Sequence, residues 1–201
     1  MVSRASLFTL LLLLACQLSA QSGIGIKAGG HMSTLHSEAF SNDLLPGGSL
    51  GLYFPIGFGH RWELQPEVQF SAQGSTQEVS EAGRQTLRLY YAQAPMNAKY
   101  FVTPTVNLLG GIQLGYLASA SALEKGSSPV DVTEDFNRMD IDIVLGLGVG
   151  TPSGWDFSLR YTSGMTNVLK DDDVFFPTNR VYSISIGHRI RKLGILTRKR
   201  R

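Results

Sequence analysis

The sequence predicts an all-β protein, an eight-stranded antiparallel up-and-down transmembrane β-barrel. Three observations point there. Apolar and polar residues alternate with period two in eight successive segments, the connections between those segments are long and short by turns, and a secretion signal precedes them all.

Composition narrows the class first. Only 17% of the 201 residues are charged and 43% are hydrophobic, with 22 glycines and a single cysteine, which excludes a disulfide scaffold and a disordered chain. From Arg189 onward there are seven Lys/Arg and no acid, whereas residues 21–188 hold ten bases against 16 acids. The body is acidic and the end is basic.

Residues 1–20 have the form of a signal peptide. Arg4 precedes the apolar run Leu7–Ala15, and Leu18-Ser19-Ala20 offers a small residue before Gln21. The run is shorter than the ~20 residues a spanning helix needs. Cleavage after Ala20 discards Cys16 and leaves a mature chain without a thiol. Leu13-Leu14-Ala15-Cys16 also resembles a lipobox, in which Cys16 would instead carry lipid. The barrel then occupies residues 21–190, and residues 191–201 form a basic periplasmic tail.

The strands follow in order. Ile24, Ile26, Ala28 and Met32 share one face of the first, with Lys27, Gly29 and His31 on the other. Leu50, Leu52, Phe54 and Ile56 mark the second, while on the third Trp62, Leu64, Val68 and Phe70 alternate with Arg61, Glu63, Gln65, Glu67 and Gln69. Only a strand separates residues in this way. The fourth sets Leu87, Leu89 and Tyr91 opposite Arg88, and because Pro95 lacks a ladder donor a bulge or register change is expected there. Leu108, Ile112, Leu114 and Tyr116 define the fifth strand. The sixth presents Ile141, Ile143, Leu145, Leu147 and Val149 against Asp140 and Asp142. On the seventh, Trp155, Phe157, Leu159 and Tyr161 oppose Asp156, Ser158 and Arg160; on the eighth, Tyr182, Ile184, Ile186 and Ile190 oppose Ser183, Ser185 and Arg189.

Segments 35–46, 74–84, 119–138 and 166–178 are long and polar, and the turns 57–60, 102–105 and 151–154 are short. Transmembrane barrels have short periplasmic turns and longer extracellular loops, and an even strand number returns the chain to the periplasm. A soluble lipocalin-like ligand-binding barrel would show the same alternation with its apolar face turned inward. Three features favour the membrane: apolar faces nearly free of charge, opposite faces rich in Gly25, Gly29, Gly51, Gly111, Gly115, Gly146, Gly148 and Gly187, and the aromatics Trp62, Trp155, Tyr116 and Tyr161 near strand ends.

Several stretches carry a resemblance to a known family. They are Gly23–Gly30, Leu64–Gly74, Ala94-Pro95 before Lys99-Tyr100, Gly110-Gly111 with Leu114-Gly115-Tyr116, and Leu159–Asn167. In order and spacing the chain resembles the PorT-type outer-membrane β-barrel proteins of Gram-negative bacteria, over essentially its whole mature length. The resemblance implies an outer-membrane location and an eight-stranded barrel inserted by the barrel-assembly machinery. It also implies an alternative role as an accessory component of protein secretion or envelope assembly, as for the family's namesake. Barrels of this kind usually end on an aromatic residue, where this chain has Ile190 and eleven further residues.

The polar face collects Lys27, His31, Arg61, Glu63, Glu67, Arg88, Asp140, Asp142, Asp156, Arg160 and Arg189. Eight strands leave an interior just wide enough for side chains, so these charges are expected to pair and fill the lumen. No catalytic, cofactor-binding or metal residue is assigned. Of His31, His36, His60 and His188 only His31 faces inward, and no spacing fixes Ser33 and Glu38 beside it as a triad. Asp171-Asp172-Asp173 lacks the interleaved spacing of a calcium loop. Neither Gly25–Gly30 nor Gly146–Gly150 leads into a helix, as a phosphate loop must. The basic tail suits anionic lipid or an acidic envelope protein rather than nucleic acid. The expectation is a non-enzymatic outer-membrane barrel, surrounded by lipid and without an open pore, whose extracellular loops are available for binding.

Overall fold

The computed structural model describes residues 22–37, 42–79, 83–124, 127–170 and 176–193. The signal peptide with Cys16, Glu38, the Asp171–Asp173 run and the chain after Leu193 lie outside the described residues.

Ten strand segments form: β1 (Ser22–His36), β2 (Asp43–Tyr53), β3 (Ile56–Phe58), β4 (Trp62–Val79), β5 (Gly83–Phe101), β6 (Val106–Glu124), β7 (Val130–Asp131), β8 (Met139–Gly150), β9 (Trp155–Gly164) and β10 (Thr178–Leu193). All pairings are antiparallel. The sheet runs β10-β9-β8-β6-β5-β4-β2-β1, and β1 pairs back onto β10 from Ser22↔Leu193 to His36↔Thr178. The count exceeds eight for two local reasons. Pro55 has no N–H to give, so the edge opens at Phe54-Pro55 and β3 resumes the β2 path, still paired with β4. β7 is a two-residue addition to β6, at Ser121 and Ala122.

Strand length separates the two ends of the molecule. β4, β5 and β6 have 18, 19 and 19 residues, well beyond the roughly 9–11 that cross a bilayer. They therefore take up most of the segment expected as a loop at 74–84 and the first six residues of that at 119–138. At the other end the turns are tight; Gly154, at φ +96°, makes the bend between β8 and β9 in a conformation that L side chains rarely adopt. β10 also continues to Leu193, three residues past the expected end of the barrel at Ile190.

Alternation decides which way each side chain points. Large apolar residues project outward along strand after strand, with Leu145 57%, Phe70 70% and Ile184 70% exposed, while Gln65, Asn97, Lys99 and Asp142 are buried inside. The arrangement is the reverse of a soluble core. On β5 the expected faces are reversed. Leu89 and Tyr91 are buried inside and Arg88 lies exposed beside Tyr90, because Gln93, Pro95, Asn97 and Lys99 keep the same inward parity along the whole strand. Pro95 causes no register change: it pairs with Gln113 in sequence with its neighbours, and the irregularity falls between Tyr90 and Tyr91, opposite Ser119 and Leu117. Arg61, also expected inside, is exposed at a turn and donates to the Tyr100 hydroxyl at 3.2 Å.

At the loop end the interior is apolar. Leu35, Leu89, Tyr91, Leu117 and Ala120 meet Phe136 and Val168, which two connections fold inward over the lumen. A single 3₁₀ turn at Thr133–Asp135 and a bridge between Phe136 and Leu169 hold this cap.

Candidate functional site: the lumen and its loop-end mouth

Inward parity on β1, β4, β5, β9 and β10 brings seven charges into one chain of contacts toward the turn end. Arg189 donates to Glu63 at 3.2 Å; Lys99 lies 3.9 Å from Glu63 and 2.5 Å from Asp156. Lys27 reaches Asp156 at 3.6 Å and Glu67 at 2.8 Å. Arg160 closes the chain with two bonds to Glu67, Nη2 to Oε1 at 2.6 Å and Nη1 to Oε2 at 2.9 Å. Gln65 and Asn97 add amide bonds to Glu67 Oε1 at 2.6 and 3.3 Å. A buried carboxylate is tolerable only when its lone pairs are met in this way.

Of the residues expected in the lumen, Lys27, Glu63, Glu67, Asp156, Arg160 and Arg189 meet in this chain. Lys99, fully buried, was not among them. Its signal in the sequence is the alternation Gln93, Pro95, Asn97, Lys99, which the apolar Leu89 and Tyr91 of the same parity mask. Tyr53 was missed as well. Its ring lies across the lumen with the Lys27 ammonium 4.9 Å from its centroid, and a Cβ on Gly25 would stand 2.3 Å from that ring. Gly25 is small because the tyrosine occupies its space.

Further toward the loops, Asp140 and Asp142 point inward from β8 and no cation pairs with either among the described residues. Asp140 accepts from Thr166 at 2.6 Å and from Asn179 at 2.5 Å, and Asn179 also donates to the Tyr91 hydroxyl at 3.2 Å. Gln113 donates to Asp142 at 2.7 Å. Between the two clusters the lumen keeps a void of only about 30 Å³, lined by Lys27, His31, Gln113 and Arg160 among others.

His31 and Ser33 do not form a catalytic arrangement. His31 Nε2 is bonded to the Ala72 carbonyl at 2.7 Å, and the Ser33 hydroxyl donates to Gly74 O at 3.0 Å while accepting from Gly74 N at 2.9 Å. Both side chains are occupied by backbone. Among the described residues, no three of His, Cys, Asp and Glu stand together as a metal site.

Above the apolar cap layer lies a cavity of about 320 Å³, open toward the loops. Leu35, Leu87, Ala122, Val132, Phe136 and Leu169 supply the apolar side of its wall with Pro177, and Asn42, Ser75, Gln77, Gln85 and Asp135 the polar side.

Charges inside and a belt of large apolar side chains outside define a β-barrel that lives in a membrane. Residues 17–170 match the family described as outer membrane protein beta-barrel domain, so the chain belongs to that family and its location is the bacterial outer membrane. Among solved structures it is similar to Neisserial surface protein A, with a TM-score of 0.58 at 14% identity, covering 85% of this chain and 99% of that one. It is also similar to Ail, the attachment invasion locus protein of Yersinia pestis, in complex with the heparin analogue sucrose octasulfate. There the TM-score is 0.50 at 13% identity, again covering 85% and 99%. At these identities the likeness is one of fold. No curated protein matches the chain.

Proposed function

We propose that this protein is an eight-stranded up-and-down outer-membrane barrel, non-enzymatic and closed to ion flow, whose long-loop end faces outward and serves as a binding surface. Its signal peptide is removed after Ala20, and its kinship within the family is with the PorT-type barrels. What supports this reading is the content of the lumen: seven linked charges and the Tyr53 ring lie across it, and the void beside Lys27 and Arg160 measures about 30 Å³. The basic tail, on the periplasmic side, attracts anionic headgroups or an acidic envelope partner.

Planar-bilayer recording of the purified mature chain tests the closed lumen. The expected record is flat, without stable openings, and steady conductance on the nanosiemens scale would overturn the proposal.

A further inference from the structure

The loop-end cavity combines three features. One side of its wall is apolar and its volume, about 320 Å³, falls in the range of small-ligand sites. Its polar lining, Asn42, Ser75, Gln77, Gln85 and Asp135, includes two acceptors free to take a donor: the Asn42 Oδ1 accepts no hydrogen bond, and the exposed Asp135 carboxylate has no partner among the described residues. The described residues of the surrounding segments 35–46, 74–84, 119–138 and 166–178 hold six acids against three bases.

We propose that this cavity binds a small cationic amphiphile, an apolar body carrying a protonated amine. The body would replace solvent against Leu35, Leu87, Phe136 and Leu169, and the ammonium would donate to Asp135 and Asn42. The acidic surroundings concentrate cations and repel carboxylates over distances set by ionic strength. A neutral body of the same shape keeps the apolar term and loses the charge term; an anionic one meets repulsion. The inference deepens the proposed binding role of the loop end and rests on it.

The test is equilibrium dialysis of the mature chain in phosphatidylcholine nanodiscs, with empty nanodiscs as the partition control. The probes are 1-naphthylmethylamine, 1-naphthylmethanol and 1-naphthylacetate. Saturable uptake should follow the order amine, alcohol, carboxylate. Asp135→Asn, an exposed change that leaves the barrel intact, should weaken the amine by roughly fivefold, the upper range for an exposed ion pair, and leave the alcohol unchanged. Filling the cavity with Leu87→Trp or Ala122→Phe should remove uptake of all three, with the strand signal in circular dichroism showing that the variant is folded. Uptake no greater than in empty discs, equal uptake of the three probes, or full uptake by a folded filling variant would each overturn the proposal. Nanodiscs expose both ends of the barrel, so such a failure leaves the closed lumen to be judged separately, by conductance, and the outward-facing end by protease cleavage of intact cells.

Discussion

Glu67 and Arg160 stand 93 residues apart in the chain and face each other across the lumen through two hydrogen bonds of 2.6 and 2.9 Å. The same carboxylate also holds Lys27, so β1, β4 and β9, no two of them adjacent in the sheet, are tied through one side chain.

Removing that carboxylate strands the buried Arg160 and leaves Lys27 only Asp156, at 3.6 Å. Glu67→Gln should therefore cost about 3–5 kcal/mol, the loss typical of breaking a buried pair from one side. Glu134→Ala, which removes an exposed partner of Arg138 at 3.3 Å, should change stability by less than about 1 kcal/mol. Urea unfolding from lipid vesicles compares the two.

Leu145 sits midway along β8, outward and 57% exposed. Leu145→Arg should cost about 2–4 kcal/mol in the same vesicle assay, since the guanidinium would enter lipid near the midplane. Unfolding unchanged by this substitution would place the lipid face elsewhere.

Termination of the chain distinguishes ladder from tail. Ending the protein after Leu193 keeps every β1–β10 pair and should leave unfolding unchanged. Ending it after Ile190 removes the pairs of Arg191, Lys192 and Leu193 with Ile24, Gly23 and Ser22, and should lower the urea midpoint.

Acid should loosen one loop feature in particular. Asp131 accepts from the Thr133 hydroxyl at 2.5 Å and the Thr133 amide at 2.9 Å, and these bonds hold its carboxyl below its usual value of 3.8. A depressed value in the fold stabilises the 3₁₀ turn above the unfolded value and withdraws that support as pH falls through the folded one. Thr133 amide protection, followed by NMR, should persist as pH falls through the ordinary value of 3.8 and fade only below it; in Asp131→Asn that pH dependence should vanish.

Much of this architecture was legible in the alternation itself. On β8, β9 and β10 a charged or small residue opposes a large apolar one at nearly every step, so Asp142, Asp156 and Arg160 fall on one face, and the near absence of charge from the other face turns theirs inward. β5 was not legible. Along Leu87-Arg88-Leu89-Tyr90-Tyr91 both faces carry apolar residues, and the inner ones are covered by Phe136 and Val168 from distant connections. Period two gives a strand's two faces but cannot say which faces inward when a folded loop supplies an apolar lining. Lys99 shares the parity of Leu89 and is hidden with it, and the loop-end cavity needs Val132, Phe136 and Leu169 to fold over the mouth against Leu35, Leu87 and Ala122.

The central claim is that the exposed apolar belt meets lipid, and spin labels placed on it test this most directly. Leu145→Cys and Leu159→Cys, labelled with a nitroxide in lipid vesicles, should collide more often with molecular oxygen than with a water-soluble nickel chelate, because oxygen partitions into hydrocarbon and the chelate does not. Collision dominated by the chelate at both positions would put the belt in water and contradict a membrane-spanning barrel with this face outward.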